Sequence, residues 1–349
     1  TDPADSRSGG RMESLWFVLV AFALSTYVVL AGGGFGAGFL HLVVARTDGA
    51  RREALRSFRP FRDAHEIWLV AAGSALYVAF PRLFSPGAPG LRPALGLLLS
   101  LLLARGVSAT ARTLTSRPGW GRLWDFVFSL ASLALVLVLG VALGNVVRGV
   151  PIDAGGRFRL PLWNGLRPGP EGAAIDAYTI TVALSAIAAL ALHGALRTAR
   201  DGSGALRARA RRAADLAWWA AAAATVLLTL MTMRVQPQIA RSLTERPWGY
   251  AFPFATLAGL VLVLWFSSRE QDRPASLASS VYLAGMIASA AFGIYPFLLP
   301  ATTDPSRGLT VHNAAAPAAD LRLGVAWWAG GVLVAGACLI LLRRRGGGR

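Results

Sequence analysis

Apolar residues in this chain come in long runs, separated by short polar connections. Runs of about 20 apolar residues, the length of helix that crosses about 30 Å of hydrocarbon, recur from one end to the other. Nine can be drawn: Leu15–Val44, Ile67–Phe84, Leu91–Ala111, Phe126–Val147, Tyr178–Leu196, Leu216–Met233, Ala251–Phe266, Leu277–Leu299 and Leu323–Leu342. They predict an all-α integral membrane protein of about nine transmembrane helices. Short links force sequential spans to pack antiparallel, so helical bundles are the expected architecture. The two longest connections, Arg148–Asp176 and Pro300–Arg322, are rich in Gly, Pro, Asp and Asn, as turns require. Residues 1–14 are polar and lack a signal-peptide pattern, so a disordered lead-in is expected there. Residues 15–343 are then the transmembrane domain and 344–349 a basic cytoplasmic tail.

Composition agrees. The 349 residues are 54% hydrophobic and only 15% charged, with a mean hydropathy of +0.50, which excludes an ordinary soluble domain. A net charge of +17 would point to nucleic acid in a soluble protein, but these charges sit in the connections and report topology. With the N-terminus outside, the inner connections and tail hold about 21 arginines against about 13 outside. All 35 basic residues are arginine, which is read as coding bias. The single cysteine, Cys338, allows neither a disulfide framework nor a metal-thiolate site.

Few polar residues interrupt the runs. Arg62, Asp63, His65 and Glu66 crowd the start of the second one, and the spacing of the two acids fits a capping box with Asp63 as N-cap. Ionisable groups at a span end also mark proton routes, with His65 as a shuttle between the acids. His41, His193 and His312 offer no obvious facing pair for a haem, and there is no covalent haem motif. Arg105 falls inside the third run, where a charge costs about 2.5–3.5 kcal/mol, and so needs a partner or a headgroup. Arg112, seven residues on, reads as an interface anchor. Asp125, after Trp124, reads as the N-cap of the fourth span. Gly140 and Gly144 have the small-residue spacing of close helix contacts, as does the run "GGGFGAG" at 32–38. No internal repeat is evident, which disfavours an inverted-repeat transporter, though a transporter or channel using Arg105 and the Asp63/Glu66 cluster is the competing functional class.

Several stretches together resemble a known family, the haem-free second subunit of cytochrome bd-type terminal oxidases. These are "VVLAGGGFGAGF", "FRDAHEIWLVAAGSALYVAFP" with Trp68, "WDFVFSLASLALVLVLGVALGNVVRGVPIDAGGRF" with Trp124, Asp125, Gly140, Gly144 and Asn145, "LHGALRTARDGSGALRARARR" and "PFLLPATTDPSRGLTVHNAAAP". The resemblance implies two four-helix bundles plus one peripheral helix. It implies a heterodimer with a haem-bearing subunit I that passes electrons from quinol, or another donor, to oxygen. No haem or metal is expected in this chain, although a structural quinone or lipid is. Small accessory transmembrane subunits and the plasma membrane of a bacterium or archaeon belong to the same expectation, with the N-terminus outside and the C-terminus cytoplasmic. A proton entrance near Asp63, Glu66, His65 and Arg105 is the candidate polar network. Departures from the family pattern are equally specific. Ala31 and Gly34 stand where "DGFDLG" carries acids, Arg62 and His65 alter "WDxNE", and "ATAR", ending at Arg112, replaces "FEFR" and loses its glutamate, so altered coupling or a different donor is expected.

Overall fold

The computed structural model describes residues 3–84, 88–115, 117–158, 160–169 and 172–346, with side chains excepted at 3–9, 56–66, 88–92, 118 and 339–346. Ten helices dominate: α1 (Pro3–Val44), α2 (Asp48–Ala79), α3 (Ala88–Leu114), α4 (Pro118–Arg148), α5 (Ala177–Asp201), α6 (Gly204–Val235), α7 (Pro237–Glu245), α8 (Ala251–Ser267), α9 (Asp272–Ile294) and α10 (Ala318–Gly346). Among the described residues, eight helical segments are long and apolar enough to cross a membrane, and Ile67–Ala79 in α2 is a shorter apolar segment. These nine coincide with the nine apolar runs.

The helices form two groups of four. Helices α1 to α4 pack together, as do α5, α6, α8 and α9, while α10 lies outside against α1 and α2. Trp328 fastens it by donating to the Ala71 carbonyl, and Trp16 reaches back to the Leu321 carbonyl. The groups meet where α1 crosses α5. A Cβ on Gly36 would collide with the Leu190 carbonyl and one on Gly194 with the backbone at Gly36 and Ala37, so only hydrogen side chains permit this crossing. The glycine run in α1 therefore serves close packing, as expected. Around the seam, Tyr27, Phe35, Leu135, Leu192, Leu196, Leu260 and Tyr282 build the main core.

Four features differ from the sequence reading. First, α1 starts at Pro3, so the residues expected as a lead-in continue the first helix, and Ser14 bonds Tyr295 at 2.8 Å. Second, α2 begins at Asp48, where Thr47 caps the Ala50 N–H at 3.2 Å. Its polar first half is amphipathic, with Ala54 packed beside Val44, Ala199, Leu206 and Ala210, so the helix passes through Asp63 without a break and Asp63 is no N-cap. Third, α9 ends at Ile294 before a cis Tyr295–Pro296 bond, and Phe297–Leu299 (β1) pairs antiparallel with Leu309–Thr310 (β2). Fourth, α7 is a short helix that buries Ile239, Ser242 and Leu243, with Ser242 donating to the Gly293 carbonyl.

The two long connections lie on each other at the same end of the bundle. Val150 donates to the Pro300 carbonyl and Thr302 to the Val150 carbonyl, burying Val150, Ile152, Phe158, Leu299 and Ala301 together. Within this cap Asp153 accepts the backbone N–H groups of Arg157 and Gly155, which hold its carboxyl below the usual carboxylate range. The opposite end gathers the arginine-rich links. There Arg209 donates to the Val44 carbonyl, Ser203 binds Glu53, and Arg207 and Arg211 grip Asp272.

Candidate functional site

A buried polar column runs down the seam of α1, α3 and α4. It exists because three helices present short or polar residues at intervals of three, four or seven, which fall on one helix face. On α4 these are Asp125, Ser129 and Ser132, on α3 Arg112, Ser108 and Arg105, and on α1 His41 and Gly38, with Gly34 and Phe35 below. Gly38 brings α1 so near α4 that a Cβ there would strike Ser132, and Ser129 donates to the Gly38 carbonyl at 2.7 Å. One turn along, this approach puts His41 Nε2 3.1 Å from Asp125 Oδ1.

Asp125 is the hub. It is 1% exposed, accepts Arg112 Nε at 2.9 Å, and lies 3.6 Å from Arg51 Nη1. Arg112, itself 3% exposed, also binds Asp48 at the start of α2, and Asp48 pairs in turn with Arg52. All four helices of the first group thus meet on one carboxylate and its partners. Two turns deeper, about 10 Å along α3, buried Arg105 donates Nε to Ser132 Oγ at 3.1 Å. Its guanidinium lies over the rings of Phe35 and Phe128, 4.8 Å and 5.1 Å from their centroids. Cation–π contact of this kind is worth about 2 kcal/mol or more when desolvated.

The structure corrects two roles. Asp125 is not an N-cap, because α4 starts seven residues earlier at Pro118, where proline at the first helical position suits the chain start. Arg112 is not an interface anchor, because Asp125 and Asp48 enclose it. His41, read only as lacking a facing histidine, joins them from 84 residues away in sequence. Arg105 is buried with partners, as its depth required. A Cβ on Gly34 would stand 3.2 Å from its Nη2, so the family acid missing at 34 would have faced this guanidinium. Here Ser132 and two aromatic rings surround it. The side chains of Arg62, Asp63, His65 and Glu66 lie outside the described residues, so the proposed entrance has no described geometry. Trp68 packs edge-on to Phe22 at 5.8 Å, and Trp124 lies against Trp120 in the first turns of α4.

The far end of α4 holds a second buried knot. Gly140 and Gly144 rest on Ala183 and Thr179 of α5. Asn145 donates to the Ala174 carbonyl at 2.8 Å and accepts from Arg148, which binds Asp176 and the Ala173 carbonyl. Asp176 is also the N-cap of α5, in a capping box with Thr179. Asp176 escaped the sequence reading, although an acid just before an apolar run was the available signal. Elsewhere His193 Nδ1 meets Ser279 Oγ at 2.7 Å and Nε2 meets the Val29 carbonyl at 3.0 Å, and His312 binds Glu13. Each described imidazole therefore has a ring nitrogen occupied by protein.

Three comparisons bear on this architecture. The family profile described as cytochrome bd terminal oxidase subunit II matches residues 12–344. The chain is 25% identical to cytochrome bd-I ubiquinol oxidase subunit 2 of Escherichia coli K12, over 93% of this chain and 90% of that protein. It is 24% identical to a probable cytochrome oxidase subunit 2 of Haemophilus influenzae, over 89% of this chain and 88% of that protein. Its fold matches a chain of the bd oxidase from Geobacillus thermodenitrificans with a TM-score of 0.76 and 18% identity, covering 96% of this chain and 98% of that one.

Proposed function

We infer the role of this chain from the premise that it belongs to the cytochrome bd terminal oxidase subunit II family and is a membrane component of an oxidoreductase complex. It acts as a haem-free subunit beside a haem-bearing subunit I, with quinol as donor and oxygen as acceptor, and it has no activity alone. The observation that carries this reading is the buried column. It is the work of three helices and one carboxylate, and it locks α1, α3 and α4 into a fixed surface on which a partner can assemble. Losing one side of such a buried pair costs about 3–5 kcal/mol, so the lock is an all-or-none element.

We propose a proton route that leaves the column, and Arg105 with it, to one side. Arg46, Arg51, Arg52, Arg112, Arg117 and Arg122 surround the column's mouth, and their field repels hydronium. Proton uptake is assigned instead to Asp63, His65 and Glu66 on α2. A transporter would need a broken helix or an open mid-membrane site. The helices bearing Arg105 and its partners are continuous through that level, and aromatic rings fill the space. An outside N-terminus and a cytoplasmic tail follow from the arginine excess in the links at the end bearing the column mouth. A structural quinone or a lipid beside the bundles, and small accessory subunits, complete the assignment.

Replacing Asp63 by Asn in the intact complex tests the route. Quinol-driven oxygen consumption and proton uptake should both fall about tenfold or more. Unchanged turnover and uptake would remove Asp63 from the path and leave the chain a scaffold. Comparing oxygen consumption with quinol and with a reduced c-type cytochrome tests the donor, and a preference for the cytochrome would overturn the quinol assignment.

A further inference from the structure

At the mouth of the column α1 to α4 leave a cleft of about 380 Å³, lined by Arg46, Arg51, Arg52, Arg112, Arg117, Arg122 and one acid, Asp48. Its size falls within the range of small-ligand pockets, about 300–1,000 Å³. Six guanidiniums face two carboxylates, Asp48 and the buried Asp125 behind it, an excess of four positive charges. Internal pairing accounts for Arg51, Arg52 and Arg112, which bind those two acids. Among the described residues no carboxylate lies within ion-pair distance of Arg46, Arg117 or Arg122, and all three are exposed. The start of α4 opens at the same place. Its N-cap is Arg117, with no side-chain cap bond among the described residues, and Pro118 has no N–H, so the N–H groups of Gly119 and Trp120 and the positive end of the dipole remain for an acceptor.

The surroundings are amphiphilic. Leu114, Trp120, Leu123 and Phe126, beside the cleft on α3 and α4, are all exposed, Leu114 by 82%. A polar head held by arginine forks above an apolar helix face is the pattern of a basic pocket between spans that takes anionic lipid headgroups. Guanidinium forks match phosphate oxygens in pairs, and the rear wall is rigid because Arg112 is anchored on both acids. We propose that this cleft binds a phosphate-bearing anion, a phosphodiester headgroup or free phosphate, through Arg46, Arg117 and Arg122. This site stands on α1 to α4 alone and is independent of the proton assignment.

The test uses the purified complex in detergent with two probes, short-chain phosphatidylglycerol and inorganic phosphate, followed by calorimetry or native mass spectrometry. The native complex should bind at least one probe saturably. Arg117→Gln and Arg122→Gln should each weaken that binding about fivefold, and the pair about thirtyfold. Arg122→Glu should weaken it further, while Arg157→Gln and Arg307→Gln at the other end should not change it. Phosphatidylglycerol binding that resists phosphate competition assigns the site to a lipid. Saturable phosphate binding lost in the same variants assigns it to the free ion. Binding of both probes undiminished in the double variant, or an equal loss in the control variants, overturns the proposal. Retention of subunit I by every variant shows that the fold is intact.

Discussion

The two helix groups are held together by different chemistry. In the first, α1 to α4, buried charges do the joining: His41, Arg51 and Arg112 converge on Asp125, and Arg105 sits between two aromatic rings. In the second, α5, α6, α8 and α9, backbones touch through glycine. Gly259 rests on Tyr282 and Gly285 on Thr256, with isolated hydrogen bonds such as Thr225 to Tyr282 at 2.8 Å and Trp218 to the Leu260 carbonyl at 2.8 Å. Its ion pairs among the described residues, Arg207 and Arg211 with Asp272 and Glu270 and Arg200 with Asp201, lie at the rim. Packing by small residues fails locally, because a Cβ added at Gly259 or Gly285 meets the backbone of Tyr282 or Thr256 but strands no charge. A buried charged hub is not tolerant, because one deletion strands its partners. Similar bundles can therefore differ sharply in how they fail.

The largest test of that difference is Asp125→Ala. It should cost about 3–5 kcal/mol, read as a lower apparent unfolding temperature of the solubilised complex and poor retention of subunit I. A paired Asp125→Leu and Arg112→Met change should recover most of the loss, since neither charge is then stranded. A cost for Asp125→Ala no greater than that of a lost hydroxyl in the second group would erase the distinction. Next in size is Gly194→Val at the seam, where the added Cβ alone would collide with Ala37 N and the Gly36 carbonyl carbon. About 1–3 kcal/mol is expected, and the same scan should show it. Smallest is Tyr282→Phe, which removes the hydroxyl bonded to Thr225. Interhelical hydrogen bonds in membranes average about 0.6 kcal/mol, so a small shift with full retention of the partner is expected.

Hydropathy made the spans legible, because burial in lipid imposes an unbroken apolar length that no tertiary contact can override. Gly36, Gly140 and Gly144 were legible for a related reason: in hydrocarbon, close approach is the main source of helix affinity, and small residues advertise it. The polar half of α2 was not, since Arg51, Arg52, Glu53 and Arg56 resemble a loop when the helix faces that absorb them are unknown. The hub was half visible. The seven-residue step from Arg105 to Arg112 placed both on one face, but the acid that answers Arg112 is on the next helix, and His41 reaches it from the first. Such convergence depends on which helices are neighbours, and no local pattern encodes that.

The two buried knots on α4 have a mechanical consequence. Asp125 and Arg148 are each fixed by an ion pair to other helices, and 23 residues of helix, about 35 Å, separate them. That length is close to the thickness of a bilayer's hydrocarbon layer, about 30 Å. Pinned at both ends to its neighbours, α4 cannot tilt against them, so the bundle presents one fixed length, a built-in gauge, to the membrane it occupies. Short-chain lipids would thin that layer away from the gauge, and the resulting mismatch must be absorbed by the lipids around the protein rather than by the helix.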